Sequence, residues 1–160
     1  MQEQEICDWL KAYLDEKRYI HTLGVRDSAV MLADRYGADV DKARLAGLLH
    51  DCAKSLSKDN MVCKIREAGY ALEHEIFQSE ALMHGIAGAV IARQVFGIED
   101  PEILSAVECH TTGKRGMSLL DKIIYLADLI EPNRNYPGVD ELRDAAVEDL
   151  DKAVLMGLKF

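Results

Sequence analysis

The chain has 160 residues, 28 of them acidic against 19 basic, for a formal net charge of -9. That length suits a single domain that buries most of its unfolded-chain surface without disulfide staples, and it argues against a separate regulatory domain. A surface so acidic repels a polyphosphate backbone, which excludes duplex nucleic acid as the expected partner. A small anionic ligand needs only a few local cations and a metal.

Apolar residues recur at three- and four-residue intervals along nearly the whole chain, and alternating strand-like runs are missing, so the expected fold is all-α, one compact helical bundle spanning 1–160. The opening Met1-Gln2-Glu3-Gln4-Glu5 has neither the basic nor the apolar region of a signal peptide. A first helix is expected at 3–17 and a second at 20–36, stopped by Gly37. The third, capped by Asp39, runs over 40–53, and the fourth over 58–68. A short piece at 79–82 precedes a helix at 84–96 that Gly97 ends. Further helices follow at 101–110, at 118–130 and at 139–156. Ser118 and Asp121 form a capping box for the helix at 118–130. The stretch from Glu131 to Gly138 is a loop, because Pro132 and Pro137 both oppose helix continuation. No apolar run is long enough to span a membrane, and Cys7, Cys52, Cys63 and Cys109 lack both Cys-x-x-Cys spacing and disulfide-scaffold density. A cytoplasmic protein with reduced thiols is expected, with Cys52 and Cys109 read as small buried hydrophobes rather than metal ligands. A partly apolar helical surface could pair two chains into a homodimer, although no heptad seam specifies one.

The histidines carry the functional signal. His21 leads a stripe continued by Val25, Ala29 and Leu32, and His50 follows Ala46 and Ala43 on one face. His84 heads the stripe Gly88, Ile91 and Val95, while His110 closes Ile103, Ala106 and Val107. Each alone reads as a buried ring with ordinary hydrogen-bond partners. Together they are polar groups that a small core gains nothing by burying unless something organises them, and a metal ion would. His74, among Leu72, Glu73 and Glu75, is read as a solvated surface residue.

Two carboxylates join the set. Asp51 directly follows His50, so both reach one ion only if it lies beside the helix, and Gly47, Ala43 and Ala46 would leave room for ligands from elsewhere. Asp128 sits four residues after Ile124 on a greasy helix, where an unpaired carboxylate is costly and a cation partner is expected, whether a metal or a Lys or Arg. Mixed His and Asp ligation suits iron, manganese or zinc, and such an ion can activate water for attack on phosphorus. Arg18, Lys54 and Arg134 lie close in sequence to these residues and can present cations to phosphate oxygens. The basic loop Thr111-Thr112-Gly113-Lys114-Arg115-Gly116 either closes over a substrate or is simply solvated.

The order His21, then His50-Asp51, then Asp128 resembles the H...HD...D signature of HD-domain phosphohydrolases, an all-helical superfamily acting on phosphate esters and anhydrides. More closely, the chain resembles the bacterial YqeK family of HD proteins. That likeness rests on Arg18-Tyr19-Ile20-His21-Thr22, Gly47-Leu48-Leu49-His50-Asp51-Cys52-Ala53-Lys54, His110-Thr111-Thr112-Gly113, and Tyr125-Leu126-Ala127-Asp128-Leu129-Ile130-Glu131-Pro132-Asn133-Arg134, and it spans roughly residues 18–145. The resemblance implies a symmetrical dinucleoside tetraphosphatase that cuts diadenosine tetraphosphate into two ADP with iron as the favoured metal. It implies His21, His50, Asp51 and Asp128 as metal ligands and catalytic centre. It also implies Arg18, Asp51, Lys54, His84, His110, Thr111 and Arg134 as nucleotide contacts, with His84 and His110 alternatively holding a second ion. In family members a segment beyond the equivalent of Phe160 adds nucleotide contacts. Two other readings stay open: an HD nucleotidase or phosphodiesterase with a different substrate, and a nucleotide-binding module without turnover.

Overall fold

The computed structural model describes residues 2–71 and 76–160, the side chain of residue 76 excepted. The reading of His74 lies outside the described residues. Among those described there are nine α-helices and no strand: α1 Glu3–Tyr13, α2 Glu16–Tyr36, α3 Val40–Leu49, α4 Lys58–Glu67, α5 Glu80–Gln94, α6 Pro101–Glu108, α7 Leu119–Ile130, α8 Val139–Glu148 and α9 Leu150–Gly157. A single 3-10 turn, Ile76–Gln78, precedes α5. No helix among the described residues is long and apolar enough to cross a membrane.

Side-chain capping decides where several helices begin, and it explains three departures from the periodicity reading, whereas α3 stops at Leu49 and α6 at Glu108, short of the expected 53 and 110, by passing into turns. Asp15 takes an extended conformation and its carboxylate accepts the Arg18 amide, so α1 stops at Tyr13 and α2 starts at Glu16, four residues earlier than expected. Ser79 caps Leu82, and nothing between Leu82 and His84 breaks the chain, so the expected fragment at 79–82 is the first turn of α5. Asp149 is extended and accepts the Lys152 amide, dividing the expected helix at 139–156 into α8 and α9. The capping box of Ser118 and Asp121, the Asp39 cap and the left-handed Gly37 stop all form as expected. Gly97 is left-handed too, with the Ile98 amide returning to Ala92 O beyond the end of α5.

The central helix is α3. It packs on α2, α6 and α7 and supplies both halves of the interior. Ala43 and Ala46 face a core shared with Val25, Ala29, Leu32, Ile123, Ile124 and Leu142. Leu48 and Leu49 face a second core with Ile6, Leu10, Ile65, Met83 and Val107. Such a two-sided helix buries its C-terminal end at the junction of the cores, where His50 and Asp51 stand. Two glycines set how closely the neighbours approach. A Cβ on Gly47 would lie 2.9 Å from Arg26 Cα, so α2 crosses α3 in backbone contact there. The room expected around Gly47 is thus filled by the backbone of α2 rather than by ligand side chains. A Cβ on Gly85 would collide with Glu108 O, so α5 lies against the end of α6 beside His84 and His110. Gly85→Ala should lower stability by about 1–3 kcal/mol through overpacking. Urea unfolding measures it, and an unchanged midpoint would contradict the close packing described.

Candidate metal centre

Five helices and the turns that follow them deliver the site. His21 comes from the second turn of α2, His50 and Asp51 from the end of α3, His84 from the first turn of α5, His110 from just beyond α6 and Asp128 from the last turn of α7. All four histidines and Asp51 are buried, His50 completely, and the Asp128 side chain is 16% exposed. The four rings that sequence reasoning placed on core faces therefore converge.

Every one of these rings is anchored through Nδ1. His50 Nδ1 donates to Gly47 O at 2.7 Å, His110 Nδ1 to Val107 O at 2.7 Å and His84 Nδ1 to Glu80 O at 3.2 Å. His21 Nδ1 donates to Glu131 Oε2 at 2.6 Å. Carbonyl and carboxylate oxygens only accept, so each ring holds its proton on Nδ1 and turns the Nε2 lone pair inward. The Nε2 atoms surround the Asp51 carboxylate. Its Oδ2 lies 3.0 Å from Arg18 Nη1, 3.3 Å from His50 Nε2 and 3.7 Å from His21 Nε2. Its Oδ1 lies 3.3 Å from both His84 Nε2 and His110 Nε2. Asp128 Oδ1 closes the group at 3.0 Å from His21 Nε2 and 3.6 Å from His50 Nε2.

The Nε2–carboxylate distances, unlike the Arg18–Asp51 contact, are not hydrogen bonds. His21 Nε2 and His50 Nε2 are buried and have no hydrogen-bond partner, because the nearby oxygens lie out of line with them. Left so, each would cost about 1–3 kcal/mol. Likewise His84 Nε2 and His110 Nε2 approach to 2.9 Å, although both rings use their Nδ1 protons elsewhere, so a proton or a cation must lie between them. Nitrogen and oxygen atoms that crowd one point without pairing are what a metal ion requires, and the anchored Nδ1 protons are the usual outer support of histidine ligands. Three overlapping sets have ligand atoms within 4.8 Å of one another: His21, His50 and Asp51; His50, His110 and Asp128; and Asp51, His84 and His110. The centre can hold a divalent cation, and it has donors enough for two. The donor set fits iron, manganese or zinc.

Without a cation, a proton takes its place. Burial opposes protonation of His50, but the Asp51 carboxylate, helped by Asp128, overrides it and lifts the imidazole to about 10. Burial also pushes the carboxyls of Asp51 and Asp128 up, yet the surrounding imidazoles hold both well below the usual range. The stability that His50 contributes is therefore full below its ordinary value of 6.5 and is lost as pH rises through about 10. That of the two carboxylates is present above about 4 and is lost as pH falls through their depressed values.

Basic residues flank the cleft. Arg134 donates through Nη2 to Asp128 Oδ1 at 2.8 Å, and Arg18 to Asp51, so each guanidinium pairs with a carboxylate of the cluster. The Arg partner considered for Asp128 and the cation-seeking cluster thus exist side by side. Thr111 Oγ1 lies 3.3 Å from His84 Nε2. Lys54 is not brought in. With α3 ending at Leu49 it follows on turns, is exposed, and makes no ion pair or side-chain hydrogen bond among the described residues. Cys52 and Cys109 are buried free thiols outside the donor sets, with Cys52 Sγ donating to Gly88 O. Burial raises both thiols, Cys109 to about 12. Sequence reasoning missed Glu131, which it assigned to the loop. The residue is 1% exposed and holds His21. The available signal was its spacing, since it stands three residues after Asp128 and so on the same face of α7.

Helices that gather histidines and aspartates in this order define a metal-centred hydrolase fold. Residues 18–133 match the family model of the HD domain, and the chain belongs to that family. Among its curated relatives, the symmetrical bis(5'-nucleosyl)-tetraphosphatase of Halalkalibacterium halodurans is 46% identical over 93% of this chain and 79% of its own length. The protein of the same name from Bacillus subtilis is 41% identical over 99% of this chain and 85% of its own. A crystal structure of an HD superfamily hydrolase from Clostridium acetobutylicum, named as involved in NAD metabolism, superposes with a TM-score of 0.95 at 52% identity, covering 98% of this chain and 82% of that one. The likeness to the YqeK branch drawn from the motifs is thereby borne out.

Thermal unfolding of chelator-treated protein should show the melting temperature falling as pH rises from about 6.5 to 10, because the folded His50 holds a proton that the unfolded chain gives up. Saturating Mn2+ should lessen that alkaline loss, because the ion takes up the neutral imidazole. A melting temperature that holds or rises over this interval in the chelated protein would contradict the arrangement.

Proposed function

We propose that this protein hydrolyses dinucleoside tetraphosphates symmetrically, diadenosine tetraphosphate to two ADP, with a divalent ion held by His21, His50, Asp51 and Asp128. The observation that carries the metal chemistry is the pair of buried, unpartnered ring nitrogens, His21 Nε2 and His50 Nε2, turned toward two carboxylates. The substrate class is supported by the name shared by the relatives at 41% and 46% identity. Iron is the metal the family resemblance favours, with manganese and zinc compatible with the same donors.

When bound, a divalent cation there would acidify a water and offset the charge on phosphate oxygens. The chain's own residues supply the rest. Burial of the four imidazoles excludes bulk water, so charges within the cleft act through a low dielectric. Asp51 divides the site. Its Oδ2 looks toward Arg18 and His21, and its Oδ1 toward His84 and His110. A tetraphosphate laid across it would have Arg18 and Arg134 on one flank, in a cavity of about 190 Å³ that Lys17 and Asn133 also line. His84, His110 and Thr111 stand on the other. Guanidinium groups on one flank and imidazole and hydroxyl groups on the other, about a central attack point, suit a chain of four phosphates cut at its middle. Arg134, anchored through Nε to Asp128 O, presents a fixed fork for phosphate oxygens, which a lysine cannot reproduce.

Metal-replete protein incubated with diadenosine tetraphosphate should yield ADP as the sole nucleotide product, resolved by chromatography. ATP with AMP, or phosphate released only from mononucleotides, would contradict the proposal. His50→Ala and Asp128→Ala should each lose bound metal together with at least about a hundredfold of kcat/KM. Arg134→Lys should raise KM for the dinucleotide more than it lowers kcat, and wild-type KM in that variant would remove Arg134 from phosphate binding.

A further inference from the structure

We propose that Glu131 is a positioning residue of the metal centre, setting the tautomer and donor strength of His21, and that Gly24 exists to admit its carboxylate. The inference rests on the metal reading above.

A glutamate 1% exposed is costly unless its charge is used. Among the described residues the only ion-pair partner of Glu131 is His21, whose Nδ1 lies 2.6 Å from Oε2. The other oxygen, Oε1, accepts the Asn133 amide. No lysine or arginine side chain reaches either oxygen among the described residues. Arg143 spends its guanidinium elsewhere, donating to Ile130 O, Glu131 O and Arg134 O at 2.8 to 2.9 Å and to the Asp140 carboxylate at 3.1 Å. The negative charge is thus directed at one imidazole, whose far nitrogen faces Asp51 and Asp128 with no hydrogen bond of its own. A carboxylate at Nδ1 pins the Nδ1–H tautomer and pushes electron density to Nε2, strengthening it as a donor to a cation. His50, His84 and His110 have only neutral carbonyls in the same place. His21 is the one ring of the four with a charged support.

The sequence has made space for that support. Gly24 stands three residues after His21 on α2, and a Cβ there would lie 3.0 Å from Glu131 Oε1 and 3.2 Å from its Cδ. A Cβ there would require the carboxylate to give way by a few tenths of an ångström. Since Asn133 hangs on the same carboxylate and Arg134 follows it, Glu131 also ties the His21 ring to the strap that carries the phosphate-facing guanidinium.

Three proteins test this: wild type, Glu131→Gln and Gly24→Ala, each chelated and then titrated with Mn2+ by calorimetry, with urea unfolding of the metal-free forms alongside. Glu131→Gln keeps the shape but removes the charge and one of the two accepting oxygens, so a single amide oxygen is left for the Asn133 amide and His21 Nδ1–H. It should weaken Mn2+ binding roughly tenfold to a hundredfold while unfolding at a urea midpoint no lower than wild type. The His21 Nδ1–H proton resonance, far downfield in the chelated wild type, should move upfield in this variant. Gly24→Ala should weaken Mn2+ binding in the same direction with the glutamate intact. Wild-type affinity in Glu131→Gln, or an unmoved Nδ1–H resonance, would overturn the positioning role and leave the metal centre standing. Wild type that binds no Mn2+ at all would overturn both.

Discussion

Everything in the site turns on the Asp51 carboxylate, a buried anion ringed by four imidazoles and a guanidinium, with Asp128 beside it on two of the same rings. Burying that charge is tolerable only because each ring offers its Nε2 side to the centre, and each does so because its Nδ1 proton is fixed elsewhere. The fold can be understood as the frame for those Nδ1 anchors. Three are carbonyl oxygens: those of Gly47 and Val107 lie in the last turns of α3 and α6, where helical carbonyls are otherwise without partners, and that of Glu80 opens α5 one turn before His84. The fourth is Glu131, at the end of α7.

Packing places the anchors within reach of one another. Backbone contact at Gly47 draws α2 onto α3 and brings His21 to His50, whose ring centroids are 5.4 Å apart. Backbone contact at Gly85 draws α5 onto the end of α6 and brings His84 to His110, at 4.8 Å. The α3 helix, apolar on two faces, joins the two pairs, because its end carries His50 between the cores. Small residues thus do for this centre what ligand identity alone cannot: they fix the spacing within a few tenths of an ångström in a tightly packed interior.

Much of this was legible in the residues. Three- and four-residue periodicity gave the all-α class, and the core-facing stripes singled out His21, His50, His84 and His110 before any partner was known. Asp128 stood out as an acid on a greasy helix. What periodicity could not decide was where helices break at polar caps, since Asp15 and Asp149 occupy helix-compatible positions and act only by bonding an amide three residues on. Nor could it separate Lys54, exposed on a turn, from Arg18 and Arg134, which reach the cluster from similarly short sequence distances. Glu131 escaped because a glutamate before Pro132 has the pattern of a solvent-facing loop residue. Its spacing from Asp128 was the one local sign, and the room that Gly24 on α2 leaves beside its carboxylate is a tertiary fact.

The most direct test is X-ray absorption at the metal edge of the iron- or manganese-reconstituted protein. The account predicts a shell of nitrogen and oxygen donors with the outer-shell scattering of at least two imidazoles and no sulfur. A spectrum with oxygen donors only, or with a sulfur neighbour from Cys52 or Cys109, would contradict it.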